Sequence, residues 1–487
     1  MNLALSLLAA AERNPSAEAL VDGGHRLTYH DLCERAARLA GGLAGLGVIR
    51  GDRVAAVLDN RHETAELIWG CWWLGASFVP ISYRITEADI EYCIEDSGAK
   101  VVARAEADGV RIGDAHFQDL VVATEHPGAL DVDEDQEAIV LYTSGTTGLP
   151  KGVPRSHRAD RAGGLSQVLQ HGLRFGDRTL GVMPLYHTMG FHSLVAVSLI
   201  GGCFVCQPRW DVEEALRLIQ DERLSSLYLA PTLFHDLVHH PRRAELDLSS
   251  VESLSYAGAA MTSALVRRCC DAFSPRIFVN HYGSTEIYTY AVHRDQAAKP
   301  GCAGRPSLNA RLRLVDPGDD AGPDDVVLPG EDGQIICDAS SDEAFPGYWN
   351  RPDANAKALR GGWYFTGDLG RLDEDGDLWI LGRVDDMIIS GGENVHPLEI
   401  EDVLARHPAV GEVAVVGVQD DRLGQRVVAY VVPRNPVTAD ELDDHCLAAA
   451  DLARFKRPRE YRFVDELPKS ASGKLLRRLL REESVSA

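Results

Sequence analysis

Residues 142–152 read YTSGTTGLPKG. Thr143, Ser144, Thr146 and Thr147 offer hydroxyls, Gly145 and Gly148 offer backbone without a Cβ, and Lys151 offers a point charge. Glycine lets backbone N–H groups approach an anion closely, hydroxyls add donors, and an ammonium neutralises charge, so the run is suited to a polyphosphate. It is not a Walker loop, because Pro150 precedes the lysine where a second glycine would stand. A chemically idle Ser/Thr/Gly turn is the competing reading. Against it stands the apolar run Ile139, Val140, Leu141, which reads as a buried strand whose end carries the loop. Further along, NHYGSTE at 280–286 supplies an aromatic face (Tyr282), a hydroxyl donor (Thr285) and a hard oxygen ligand suited to Mg²⁺ (Glu286). WYFTGDLG at 363–370 sets Asp368 in a glycine turn, where one carboxylate can accept two ribose hydroxyls. In isolation each would pass for an ordinary strand-end turn, and Lys474 behind Gly473 for a solvated lysine.

The elements around these residues alternate. Thr28 opens a helix with Leu32, Ala36, Leu39, Leu43 and Leu46 on one face, and 54–57, 77–79, 101–103 and 121–123 read as short strands between helices. A second alternating block spans about 180–280, which together predicts α/β architecture with doubly wound sheets. Short strands with Gly/Asp turns over 312–380 predict a small β-rich subdomain. Beyond it, a helix from Pro397 through His407, strands at 413–418 and 427–432, and a capping box at Thr438 and Glu441 predict a smaller, mobile α+β domain. The expected division is 1–383, a hinge at 384–386 with Asp385 at its centre, and 387–487.

Composition narrows the setting. The chain has 487 residues, about three domain-sized units, and 45% are hydrophobic, enough for real cores. Its net charge of −24 argues against nucleic acid or an anionic membrane as partner. Ten cysteines in this length make no disulfide framework, and Cys203 and Cys206 sit in an apolar run that reads as core. The apolar stretch 3–11 is too short to span a bilayer. A soluble cytoplasmic protein, associating as a homodimer, is expected.

Taken together, the motifs resemble those of the adenylate-forming enzymes, the superfamily of acyl-CoA synthetases, in order and spacing over nearly the whole chain. The narrower resemblance is to the benzoate and 4-chlorobenzoate CoA ligases, carried by MPLYH at 183–187, GRVDDMIISGGENVHP at 382–397 and FKRP at 455–458. It implies ATP, Mg²⁺ and CoA as cosubstrates and cofactor, with an aromatic carboxylate first adenylated and then passed to the thiol. It implies catalytic roles for Lys474, His187 and Glu286. It assigns the nucleotide to residues 143–148, Lys151, Gly258, Tyr282, Gly283, Thr285, Asp368 and Arg383. The acyl pocket would comprise His187, Thr188, Tyr228, Ala257, His281, Gly283, Tyr288 and Thr289, with His281, Tyr288 and Thr289 polar enough to meet a ring hydroxyl. CoA would meet Arg84, Gly392, Phe455, Arg457 and Arg459, although Leu423 stands where the chlorobenzoate enzymes have a tryptophan. The alternatives are an adenylation enzyme that loads a carrier protein, a medium-chain fatty acid CoA ligase, and a nucleotide-binding protein without catalysis. Against the last, each position expected to do chemistry holds a competent residue.

Overall fold

The computed structural model describes residues 2–126, 132–143, 149–318, 320–390, 393–420, 422–469, 475–477 and 479–481. Among them the chain forms four sheets. In the first, the parallel strands Val101–Glu106, Arg53–Val57, Ser77–Pro80 and Glu137–Thr143 are flanked by antiparallel edge strands. The last of these pairs antiparallel with Lys151–Ser156, with Thr143 opposite Lys151, the first residue of the returning strand. The second sheet has nine strands. Its parallel centre includes Arg178–Gly181, Ser226–Leu229, Ser253–Tyr256 and Ile277–Tyr282.

Buried strand runs and one-sided helices explain the packing. The helix Tyr29–Gly45 is capped by Thr28, whose hydroxyl accepts from Asp31 N while the Asp31 carboxylate accepts from Thr28 N. Such a cap stabilises a helix by about 1 kcal/mol. Its buried face includes Leu32, Ala36, Leu39 and Leu43, which join Trp69, Trp72, Phe78 and Phe191 in one core. Residues 121–123 depart from the strand reading. A short helix, Phe117–Leu120, takes Leu120 and Val121 into the core and leaves Val122 72% exposed in a turn. Local β-propensity there yields to the core contacts of the helix before it. Cys203 and Cys206 are buried within one strand, as their apolar run predicts.

The β-rich unit is a five-stranded sheet built on Gly333–Asp338 and Trp363–Leu372, with Leu378–Arg383 as its last strand. A single 3-10 turn, Val384–Asp386, leads from it to the C-terminal sheet. That sheet holds Val410–Asp420 and Gly424–Pro433 and has its own core of Ile400, Leu404, Val415, Ala429, Val431 and Leu442. The helix from Pro397 ends at Ala405, two residues before the expected His407. The capping box at Thr438 and Glu441 is present. Among the described residues three polar contacts join the C-terminal unit to the rest, one of them from Arg434 Nη2 to His235 Nε2 (3.2 Å). His396 Nε2 donates to Asp332 Oδ2 (2.8 Å), and Asp402 Oδ1 accepts from Ser263 N (3.1 Å) at the start of the helix Ser263–Phe273.

Candidate functional site

The strand ends of the second sheet and the last strands of the β-rich unit bring one constellation together. Asp368 and Arg383 are directly paired across neighbouring strands, and Arg383 Nη1 donates to Asp368 Oδ1 (2.7 Å) and to the Thr366 carbonyl (2.9 Å). The other carboxylate oxygen accepts from the Tyr282 hydroxyl (2.6 Å). Tyr282, Asp368 and Arg383 are therefore one hydrogen-bonded set. Burial alone would lower the Arg383 pKa, but the Asp368 charge reverses that, so the guanidinium stays charged.

Glu286 is buried at the end of the turn that follows Tyr282, with Oε1 accepting from the Tyr348 hydroxyl (2.6 Å). Its Oε2 has no hydrogen-bond partner among the described residues, which leaves one carboxylate oxygen available to a cation. The Lys151 ammonium lies over the Tyr348 ring, 4.2 Å from its centroid. Among the described residues it makes no ion pair. Burial lowers its pKa, opposed by the Glu286 charge. A half-buried cation without a counter-ion is a seat prepared for an anion. Two glycines are required nearby: Gly258 has φ +83°, and a Cβ on Gly283 would lie 1.7 Å from the Tyr288 carbonyl oxygen. Ser144, Gly145, Thr146, Thr147, Gly148, Gly392 and Lys474 lie outside the described residues, while Thr143 and Lys151 pair across adjacent strands. Arg155, fully buried one turn beyond Lys151, donates from Nη1 to the Thr285 carbonyl (2.8 Å) and from Nε to Asp160 (2.6 Å).

The acyl-pocket residues also converge. Tyr228 and His281 lie on parallel strands either side of Ser253–Tyr256, which ends just before Ala257, with His187 and Thr188 at the start of the helix Thr188–Leu199. The His187 ring packs edge-on against Tyr186 at 4.8 Å, and burial pushes its pKa down to about 4, with Arg84 adding to the effect. It is neutral at pH 7. His281 is neutral too, its pKa pushed down to about 4 by burial. Its Nε2 donates to the Tyr288 carbonyl (3.1 Å), so Nδ1 accepts from His171 Nε2 (3.0 Å). The Tyr288 ring stacks on His192 (3.7 Å), and its hydroxyl donates to Gln167 Oε1 (2.7 Å). Thus two of the three residues expected to meet a ring hydroxyl are already partnered by protein. Thr289 lies beside the buried Glu343 carboxyl, whose pKa burial raises, without a hydrogen bond of good geometry.

The residues assigned to CoA are not brought together. Arg84 stacks on Tyr83 near His187, whereas Phe455, Arg457 and Arg459 belong to the C-terminal unit. There Arg457 Nε pairs with Asp443 (2.9 Å), and Phe455 is 43% exposed. Sequence reasoning missed Tyr348, Arg155, Gln167 and His192. The signals present were an arginine inside the apolar strand 151–156 and the aromatic pair Tyr348 and Trp349 in a turn.

The pattern of a family described as AMP-binding enzyme matches residues 7–349, and that of the AMP-binding enzyme C-terminal domain matches 399–474. The chain is 37% identical over 504 residues to the 4-chlorobenzoate–CoA ligase of Arthrobacter sp, with 99% of this chain and 95% of that protein covered. It is 32% identical over 506 residues to the long-chain-fatty-acid–CoA ligase FadD13 of Mycobacterium tuberculosis, covering 99% and 98%. Among solved structures, the anthranilate CoA ligase AuaEII in complex with anthranoyl-AMP superposes with a TM-score of 0.91 at 28% identity, covering 99% of this chain and 97% of that one.

Proposed function

The chain belongs to the AMP-binding enzyme family, and from that premise we propose that it is an ATP-dependent ligase joining an aromatic carboxylate, of the benzoate or hydroxybenzoate type, to CoA. The observation that carries this reading is the half-buried Lys151 ammonium, without an anionic partner among the described residues and beside the Glu286 carboxylate. Such a pair suits a triphosphate with its divalent cation.

In the first half-reaction the substrate carboxylate oxygen attacks the α-phosphorus of ATP. The bond to the bridging oxygen breaks, and pyrophosphate leaves with acyl-AMP remaining. Asp368 accepts the ribose hydroxyls, Arg383 orients that carboxylate, and Lys151 meets the phosphates. Thr285, whose carbonyl is fixed by Arg155, is held where its hydroxyl donates to the α-phosphate. Lys474 bridges the carboxylate and α-phosphate oxygens, where losing its charge costs on the order of a hundred- to a thousandfold in rate. Mg²⁺, when bound at Glu286, supplies charge neutralisation of the polyphosphate. In the second half-reaction the C-terminal unit turns about 384–386, and the CoA thiol adds to the acyl carbon and expels AMP. Neutral His187 borders that carbon.

The aromatic assignment rests on the rings of His187, Tyr228, His281 and Tyr288 clustered with their neighbours and on similarity to the 4-chlorobenzoate and anthranilate ligases. FadD13 marks the competing class. Pyrophosphate release measured across benzoate, hydroxybenzoates, halobenzoates and medium-chain fatty acids decides between them. The benzoates should turn over at least about tenfold more efficiently, the worth of one well-placed group. A preference for the alkyl acids contradicts the aromatic assignment.

A further inference from the structure

Among the residues around Tyr228, its hydroxyl and the Gln167 amide nitrogen are left without partners, beside the unpartnered hydroxyls of Ser255, directly across the strands, and Thr289. Tyr228 is 2% exposed, and its Oη makes no hydrogen bond. A buried hydroxyl without a partner is a costly arrangement that needs a reason. The neighbouring Tyr288 hydroxyl does not relieve it: its single proton goes to Gln167 Oε1 at 2.7 Å, and no bond of hydrogen-bond geometry joins the two hydroxyls. That bond also fixes the Gln167 amide plane. With Oε1 turned to Tyr288, the two Nε2 protons have no acceptor among the described residues, although Gln167 is only 3% exposed. Of the other polar rings, His281 has both nitrogens engaged, and His192 donates from Nδ1 to the Thr188 carbonyl while its Nε2 faces Asp160 Oδ1 at 3.3 Å.

Strand register sets the depth. Tyr228 pairs with Ser255, and Ser255 with Val279, whereas Ala257, just past the end of its strand, and His281 stand two residues further along, at the mouth. At about 3.3 Å per residue, Tyr228 therefore lies about 7 Å deeper than the mouth, on the same face. That depth suits a benzene ring whose carboxyl sits at the strand ends, with the opposite ring carbon reaching Tyr228.

We infer that Tyr228 Oη and Gln167 Nε2 read a hydrogen-bond-accepting oxygen on the ring carbon opposite the carboxyl, so that the preferred acid is a 4-oxygenated benzoate. The inference rests on the ligase reading above and narrows it. Tyr288 acts as a positioning residue for Gln167. Benzoate would leave both groups unpaired, and a 4-halogen accepts too weakly to replace an oxygen.

Pyrophosphate release measured with 4-hydroxybenzoate, 4-chlorobenzoate and benzoate tests it. The native enzyme should show the highest kcat/KM with 4-hydroxybenzoate. Tyr228→Phe, and separately Gln167→Leu, should each lower the 4-hydroxybenzoate-to-benzoate ratio about tenfold, the size expected of one hydrogen bond. Melting temperatures identify any variant that fails to fold, and the other variant then carries the comparison. Equal or better use of benzoate by the native enzyme, or a ratio unchanged in a folded variant, overturns the inference. Absence of pyrophosphate release with every acid instead overturns the ligase reading on which it rests.

Discussion

Lys151 concentrates the physical logic of the site in one side chain. It begins the strand Lys151–Ser156, packs its ammonium over Tyr348 and lacks an anion among the described residues. Burial lowers its pKa below the usual lysine value, so in the folded protein without nucleotide the charge is a liability. The sign follows directly. The unfolded chain binds this proton more tightly, so the charge opposes folding at neutral pH, and the opposition fades as pH rises towards the unfolded lysine value. Lys151→Met should therefore leave the melting temperature of the free protein unchanged or higher. ATP at a hundred times its dissociation constant should stabilise the native protein by about 2.7 kcal/mol, and the same concentration should barely stabilise the variant. Thermal unfolding with and without ATP checks this, and an equal ATP-dependent shift in both proteins would place the phosphates elsewhere.

Hairpins, strand ends and turns decide which of these residues meet, and that scale was only partly legible in the chain. The helix caps at Thr28 and Thr438 could be read because a capping box lies within four residues. Asp368 and Arg383 could be matched because each sits in a motif of its own, and their direct cross-strand pairing follows from adjacent strands. Tyr348 was missed, because its bond to Glu286 spans 62 residues and the aromatic pair it forms with Trp349 does not by itself say what it meets. The commitment of Tyr288 to Gln167, 121 residues away, was hidden for the same reason. Residues 121–123 were misread because a β-branched run looks like a strand until the preceding helix claims Val121 for the core. The turn Val384–Asp386 offers an element-level test of the proposed two-stage cycle. Proline fixes φ and removes a backbone donor, so Asp385→Pro should keep pyrophosphate release within about threefold of native while thioester formation from supplied acyl-AMP falls on the order of a hundredfold. Quenched-flow assays of each half-reaction separate the two, and an equal loss in both would show that this turn is not the pivot.

At the scale of the whole molecule, two α/β sheets and a β-rich unit hold the residues proposed for the nucleotide and acyl group, while a separately cored C-terminal unit carries Phe455, Arg457 and Arg459, proposed for the thiol-bearing substrate. His396 to Asp332, Asp402 to Ser263 N and Arg434 to His235 are, among the described residues, the polar contacts a rotation would have to exchange. Each is a single bond, worth about 0.5–3 kcal/mol, so none of them would lock the arrangement. Among the described residues no helix is long and apolar enough to cross a membrane. The central claim is that one chain couples ATP cleavage between the α- and β-phosphates to thioester formation. Its most direct test is the product balance after incubation with a benzoate, Mg-ATP and CoA, followed by chromatography of nucleotides and thioesters. The account predicts AMP, pyrophosphate and aryl-CoA in equal amounts, with acyl-AMP accumulating when CoA is withheld. ADP and phosphate as products, or AMP formed without thioester in the presence of CoA, would contradict it.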